Sequence, residues 1–546
     1  MPEAHCTHEV VNQSQPFEDL NLFLTDRPLR AAVESQGTGL VTTSLREFGR
    51  IAGSREAATW ARLANDNPPV LRTHDNKGHR LDVTEFHPAY HSLMETSAKA
   101  GLTRLNAGPH GYVERSALLY LAIQMEAGHC CPITMTNAAL PVLARQGDVG
   151  QPWIEKARNA AYDSRFLPMT EKTAVTIGMG MTEKQGGTDV RANTTRAVAL
   201  SGGPGKPYEI TGHKWFMSAP MSDAFLVLAQ AEGRLTCFLM PRFRPDGSVN
   251  GLRFQRLKPK LGNRSNASSE VEFVGAHAWA IGAEGEGTKV IIEMVTATRL
   301  DCAVASAGLM RSALAQALHH AANRRAFQKA LIDQPLMGHV LADLALDVEA
   351  AVALAFRLSR AFDEKANTSQ QAWQRLMTPV VKYWACKTAP PCVAEAMESL
   401  GGNGYVEDGP MARLYREVPV NSIWEGSGNV MALDVVRVLK REPQTAEVLL
   451  SDLRHAAGAD SRLRNAAAKL EDLLGNATQA EHRAREITEG LAVLAAGTLL
   501  VESAPPAIAE SYLASRFGET QRITYGCDID PRLTRAILER ARPVET

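Results

Sequence analysis

Pro419-Val420-Asn421-Ser422-Ile423-Trp424-Glu425-Gly426-Ser427-Gly428-Asn429 sets one carboxylate between an indole and a glycine-rich turn. A carboxyl flanked in this way loses water, which disfavours its charged form and raises its pKa. That is one way to tune a general base. The plainer reading is an ordinary capping carboxylate, and this stretch alone leaves both open. Upstream stand Leu400-Gly401-Gly402-Asn403-Gly404-Tyr405 and Arg413-Leu414-Tyr415-Arg416-Glu417.

Two further segments lie in the first half of the chain. Gly178-Met179-Gly180-Met181-Thr182-Glu183-Lys184-Gln185-Gly186-Gly187-Thr188-Asp189-Val190 combines four glycines with two hydroxyl residues. Glycine lets backbone N–H groups approach a phosphate or a flat ring, and hydroxyls add directional bonds. The alternative is a glycine-rich turn. The spacing is not GxGxxG after a strand, so no Rossmann site is indicated. Gly212-His213-Lys214-Trp215-Phe216-Met217-Ser218-Ala219-Pro220 sets adjacent aromatics beside a hydroxyl. Such a run flanks a planar cofactor or forms a core strand.

Texture divides the chain into four. Residues 1–175 read as an irregular arm to about residue 40, followed by helices, with apolar periodicity around Arg115–Gln124. Residues 176–290 carry short apolar stretches such as Phe225–Ala229 and Thr236–Met240 between Gly, Pro, Asn and Asp, which predicts a small barrel or sandwich. Residues 291–440 return to helices: small residues fill Ala303–Ala317, and Val340, Leu341, Leu344, Val348 and Val352 make a buried stripe. Residues 441–546 are a further helical region, interrupted at Pro505-Pro506. The expected class is α+β.

Composition narrows the function. The 546 residues carry 59 Lys+Arg against 60 Asp+Glu, a net charge of −1 that announces neither nucleic acid nor membrane. The longest apolar run, Leu491 to Val501, is about half the roughly 20 residues a membrane helix needs. No basic segment followed by an apolar core opens the chain, so no secretory signal is read. Eight cysteines without a CxxC pair and 15 histidines without paired spacing predict reduced thiols, no metal and a cytoplasmic protein.

Taken together, the three segments resemble the acyl-CoA dehydrogenase superfamily, over about residues 175–440. The branch of the adaptive-response flavoprotein AidB is the most similar, on Cys131-Pro132-Ile133-Thr134-Met135-Thr136, Met181–Gly187, Gly262-Asn263-Arg264-Ser265-Asn266-Ala267-Ser268 and Pro419–Asn429, with extra helices after about residue 445. The resemblance implies an N-terminal helical domain, a middle β-barrel, a C-terminal four-helix bundle and an extra helical tail. It also implies FAD bound between the chains of a homotetramer.

By the same resemblance Glu425 is the catalytic base. It removes the α-proton of an acyl-CoA thioester while the β-hydrogen leaves as hydride for flavin N5. Some relatives carry the base at the position of Thr298, which cannot serve here. Met179, Gly180, Met181, Thr182, Gly187 and Thr188 are expected along the flavin and its phosphates. Ser218 falls where a hydroxyl faces flavin N5, with Met217 beside it and Phe216 in place of a family Trp. Arg324, Phe327 and Gln334 correspond to residues that reach the pyrophosphate and adenosine from a neighbouring chain, as do Gly401 and Gly402. Trp424, Ser427, Gly428 and Asn429 complete the cofactor set. Departures are Glu183-Lys184-Gln185-Gly186-Gly187 for Glu-Pro-Gly-Ala-Gly, Phe327-Gln328 for Phe-Gly, and Glu398 for Gln.

The AidB branch further implies a role in protection against DNA alkylation, with duplex DNA bound by a basic tail. Residues 445–546 hold 12 Lys+Arg and 15 Asp+Glu, a net of −3. Arg454, Arg462 and Arg464, and then Arg532 and Arg535, are the candidate DNA contacts, with a solvated charged face as the alternative. A second basic stretch runs from Arg242 to Arg264, with seven Lys+Arg and one Asp. Three functions remain: a stress-protective flavoprotein, a metabolic acyl-CoA dehydrogenase, and a DNA-binding scaffold.

Overall fold

The computed structural model describes residues 7–104, 108, 110–364, 366–458, 460–475, 480–518 and 523–545. The N-terminal arm is irregular only to Asp26, which caps the helix Arg27–Gln36 by accepting from the Leu29 N–H. Further helices follow, interrupted by a hairpin of β1 (Val70–His74) and β2 (Arg80–Glu85) that helical periodicity did not announce. The stretch read as periodic lies in the helix Gly111–Met125, which is buried on nearly all sides.

The middle of the chain is a sheet closed on itself. Its strands are β3 (Ile177–Gly180), β4 (Arg196–Ala199), β5 (Pro207–Ser218), β6 (Ala224–Ala231), β7 (Arg234–Pro241), β8 (Leu252–Leu257) and β9 (Ser268–Ile281). The order is β3-β6-β4-β5-β9-β7, and the β6–β7 pairing closes the ring, with β8 beside β9. Period-2 alternation divides β6 between two cores. Phe225, Val227 and Ala229 point into the barrel with Phe238, Phe254 and Phe273. Ala224, Leu226 and Leu228 face the helix Cys130–Ala144 and the start of the long helix Gly287–Asn323. Buried on both faces, β6 reads as an apolar run from Ala224 to Ala229, interrupted only at Gln230.

The helices Gly287–Asn323, Pro335–Asp363, Thr378–Glu398 and Gly428–Arg441 form the bundle behind the barrel. The tail helices dock on it rather than standing apart. Ala484–Ser503, which holds the apolar run Leu491 to Val501, packs on Pro335–Asp363 and Gly428–Arg441. Arg516 donates to Asp343 and Asp347 at 2.7 and 2.9 Å, and Arg540 to Glu349 at 2.8 Å. One apolar core therefore runs from Phe23 through the bundle to Ala541. No helix among the described residues is long and apolar enough to cross a membrane.

Candidate active site at the junction of barrel and bundle

Glu425 sits in a tight turn between a short 3-10 segment, Val418–Ser422, and the helix Gly428–Arg441. Its φ of 59° is left-handed, a conformation that costs a non-glycine residue about 1–3 kcal/mol and persists only where surroundings enforce it. Here they do. The buried Lys382 donates through Nζ to the carbonyls of Trp424, at 2.9 Å, and Gly426. Arg299 Nε donates to Glu425 O at 2.9 Å while its Nη1 meets Asp434 at 3.0 Å. The Trp424 indole N–H donates to Asn421 Oδ1 at 3.1 Å.

The Glu425 side chain accepts a hydrogen bond from the Thr298 hydroxyl at 2.6 Å. Burial pushes its carboxyl above the ordinary value, opposed by that hydroxyl and by the charges of Lys382 and Arg299. Thr298, where some relatives carry the base, serves here as a donor to it.

The barrel supplies the opposite wall. Met179 and Met181, at the end of β3, pack with Trp424 against one apolar cluster, which brings the Gly178–Val190 and Pro419–Asn429 segments together. A bulge in β5 between Lys214 and Met217 turns both Trp215 and Phe216 outward. Lys258 Nζ lies over both rings, 3.3 and 4.6 Å from their centroids. Phe216 is 52% exposed. Ser218 closes β5 and bonds the Ser268 hydroxyl at 3.0 Å. The Met217 side chain is fully buried in the barrel core, so it leaves only its backbone to face the site. In the loop after β3, Thr182 and Gly187 lie together, while Thr188 is exposed. Buried Glu183 accepts from Lys214 Nζ at 2.8 Å and from the backbone N–H groups of Thr194 and Thr195, which pins the loop.

A second group lies elsewhere. Arg324 ends the helix that carries Arg299, 25 residues on; at 1.5 Å per residue the two stand about 38 Å apart. Arg324 Nη1 donates to Asn12 O at 2.5 Å, and Gln334 Nε2 to Ala326 O at 3.1 Å. Phe327 is 95% exposed. Gly401 and Gly402 stand on a nearby turn, joined to the N-terminal arm by Asn403 and Gln13 at 3.4 Å. Of the residues after the base, Ser427 and Asn429 are exposed and Gly428 is buried. Asn429 Oδ1 accepts from Arg485 of the tail at 2.8 Å.

The tail arginines do not form a free basic face. Arg454 pairs with Glu447 and, at 3.0 Å, Glu471; Arg462 with Asp460 at 2.9 Å and Glu510 at 2.8 Å. Arg532 pairs with Asp530 at 2.7 Å and Arg535 with Glu539 at 2.8 Å, while Arg464 donates to Gly458 O at 3.1 Å. Sequence reading missed the two residues that shape the base turn from outside it, Lys382 and Arg299. Neither lies in a local motif.

Comparison with known proteins agrees with this geometry. Residues 12–164 match the adaptive response protein AidB N-terminal domain, residues 178–276 the acyl-CoA dehydrogenase middle domain, and residues 285–440 the acyl-CoA dehydrogenase C-terminal domain. The Escherichia coli (strain K12) protein named "Putative acyl-CoA dehydrogenase AidB" is 46% identical over 93% of this chain and 94% of its own. Acyl-CoA dehydrogenase family member 11 of Caenorhabditis elegans is 30% identical over 90% and 79%. The crystal structure of Caenorhabditis elegans ACDH-11 in complex with C11-CoA superposes with a TM-score of 0.84 at 26% identity, covering 98% of this chain and 97% of that one. The chain belongs to the acyl-CoA dehydrogenase family, in its AidB branch.

Proposed function

We propose that this protein is an FAD-dependent oxidoreductase acting on an acyl-CoA thioester, with Glu425 as the base. The observation that carries this reading is the Glu425 turn: a carboxylate of raised pKa, held in a strained conformation by three side chains, opposite the barrel wall that ends in Ser218. Glu425 takes the proton from the carbon α to the thioester carbonyl. Thr298 orients the carboxylate, and Lys382 and Arg299 keep the backbone of the turn in place. Bound FAD would supply the two-electron acceptor for the β-hydrogen.

The residues fit that cofactor. Gly401 has φ +60°, and added Cβ atoms at Gly401 and Gly402 would meet nothing within 4 Å. The turn thus borders open space where a phosphate can approach backbone N–H groups. Phe216 and Phe327 expose aromatic faces that a planar heterocycle covers. Arg324 brings a guanidinium suited to phosphate oxygens. With Arg324 about 38 Å from Arg299 along one helix, a single chain does not bring both groups onto one FAD. This supports a site shared between copies; the family resemblance makes the assembly a homotetramer, and the reduced thiols read from the sequence place it in the cytoplasm.

A second role, protection against DNA alkylation with duplex DNA binding, is favoured by the match of residues 12–164 to an adaptive-response domain. The paired tail arginines give it little electrostatic support. Steep salt dependence of duplex binding would support it, and binding absent at low salt would remove it.

The primary reading is tested by adding acyl-CoA esters of increasing chain length to the purified protein without oxygen. At least one should bleach the oxidised flavin band. A protein that no ester bleaches is not an acyl-CoA oxidoreductase.

A further inference from the structure

Behind Ser218 lies a cation that the chemistry above does not use. Lys260, between β8 and β9, is half-buried, and among the described residues it has no carboxylate within ion-pair distance. Its ammonium donates instead to the Asn266 carbonyl at 2.7 Å and to the Ser268 hydroxyl at 3.3 Å. Ser268 in turn lies 3.0 Å from the Ser218 hydroxyl. Three side chains from one loop and two strand ends thus form one hydrogen-bonded chain, from a charge to the edge of the site. Around it, the Cys131 thiol lies beside Lys260, Asn266 and Ser218, and Asn266 Nδ2 donates to Asn263 Oδ1 at 3.0 Å. Asn263 in turn donates to Glu417 at 2.6 and 2.7 Å, which fixes the loop that carries Asn266.

The first member fixes the first step of the chain. An ammonium has three donors and no acceptor, so Ser268 Oγ must accept from it. Its own proton remains available for Ser218. Ser218, accepting there, has its own proton for the Cys131 sulfur beside it or for the space between barrel and bundle. A half-buried cation without a counter-ion is costly, and such groups cluster where a site needs them.

We propose that Lys260 is a positioning residue which, through Ser268, holds the Ser218 hydroxyl as a hydrogen-bond donor toward the flavin. The inference rests on the FAD reading above and names a determinant of the flavin's electron affinity in that site. Burial pushes the Lys260 ammonium down to about 8, opposed by the carboxylates of Glu417 and Glu126, so it stays protonated at neutral pH. Cys131, pushed up to about 11 by burial, stays a thiol there and does not neutralise it. A donor directed at the flavin favours the arrival of electrons.

The test is the two-electron midpoint potential of the flavin-loaded full chain, measured with Lys260→Met, Ser268→Ala and Ser268→Thr. Lys260→Met and Ser268→Ala are each expected to move the equilibrium roughly tenfold toward oxidised flavin, about 30 mV for a two-electron couple. Ser268→Thr, which keeps a hydroxyl, should stay within about threefold of the parent. Ser268→Ala changes a single buried hydroxyl and keeps the test intact if Lys260→Met does not fold. Unmoved potentials in flavin-loaded variants would overturn the proposal alone. So would a shift in Lys260→Met without one in Ser268→Ala, which would mark a charge acting through space. A parent chain that retains no flavin would overturn the cofactor reading, and this inference with it.

Discussion

At the scale of single residues the site turns on how one carboxylate is kept both ionisable and aimed. Burial raises the Glu425 pKa, and the Thr298 hydroxyl opposes that rise by stabilising the ionised form. A base works only when ionised, so activity should appear as pH rises through the raised value. Thr298→Val removes the opposing hydrogen bond, so the acid limb of kcat/KM should move to higher pH. Profiles of parent and variant measured with the same ester check this, and an unmoved or lowered limb would count against the assignment. Glu425 itself was legible in the sequence because the indole, the carboxylate and the glycines are contiguous. Thr298 was legible only as the residue at an alternative base position, and its bond to Glu425 spans 127 positions. The burial of the Met217 side chain was not legible, because a β-bulge invisible in the motif sets which residues of β5 face out.

At the scale of elements, the turn Trp424-Glu425-Gly426 is a small device locked from three sides. Gly426 has φ +109°, and a Cβ there would lie 2.5 Å from Met431 Cε. Gly426→Ala should therefore cost about 1–3 kcal/mol, seen as a lower denaturation midpoint, and should lower kcat by misaiming Glu425. Parent-like stability and turnover would show that the turn is not strained. The glycine-rich turn could be read in sequence, but the lysine that holds it could not. Lys382 sits mid-helix among apolar neighbours, and only the fold brings it under two carbonyls. The closed sheet was legible from turn density and apolar runs. The hairpin of β1 and β2 was not, because its strands are short and half exposed, and the positions that β2 buries, Asp82 and Thr84, are polar, so burial alternates without an apolar pattern.

At the scale of the whole molecule, about 38 Å of one helix separates Arg299, which holds the Glu425 turn, from Arg324, and the proposed reading has each site borrow from another chain. Complementation follows. Glu425→Gln and Arg324→Ala should each be impaired alone, while co-assembled mixtures should recover about a quarter of parental sites, since those sites draw an intact base from one chain and an intact arginine from another. Mixtures no better than the sum of the two would argue for sites made within one chain. The tail shows where charge counting stops short. Its net acidity could be read from composition. That the arginines at 454, 462, 532 and 535 are each matched by a carboxylate required the structure, although Asp530 and Glu539 stand close by in sequence. The most direct test of the central claim is the anaerobic rate at which a competent acyl-CoA ester bleaches the flavin in the parent and in Glu425→Gln. The expected result is a fall of about 10²–10⁴-fold at unchanged flavin content. Bleaching at the parental rate without the carboxylate would contradict it.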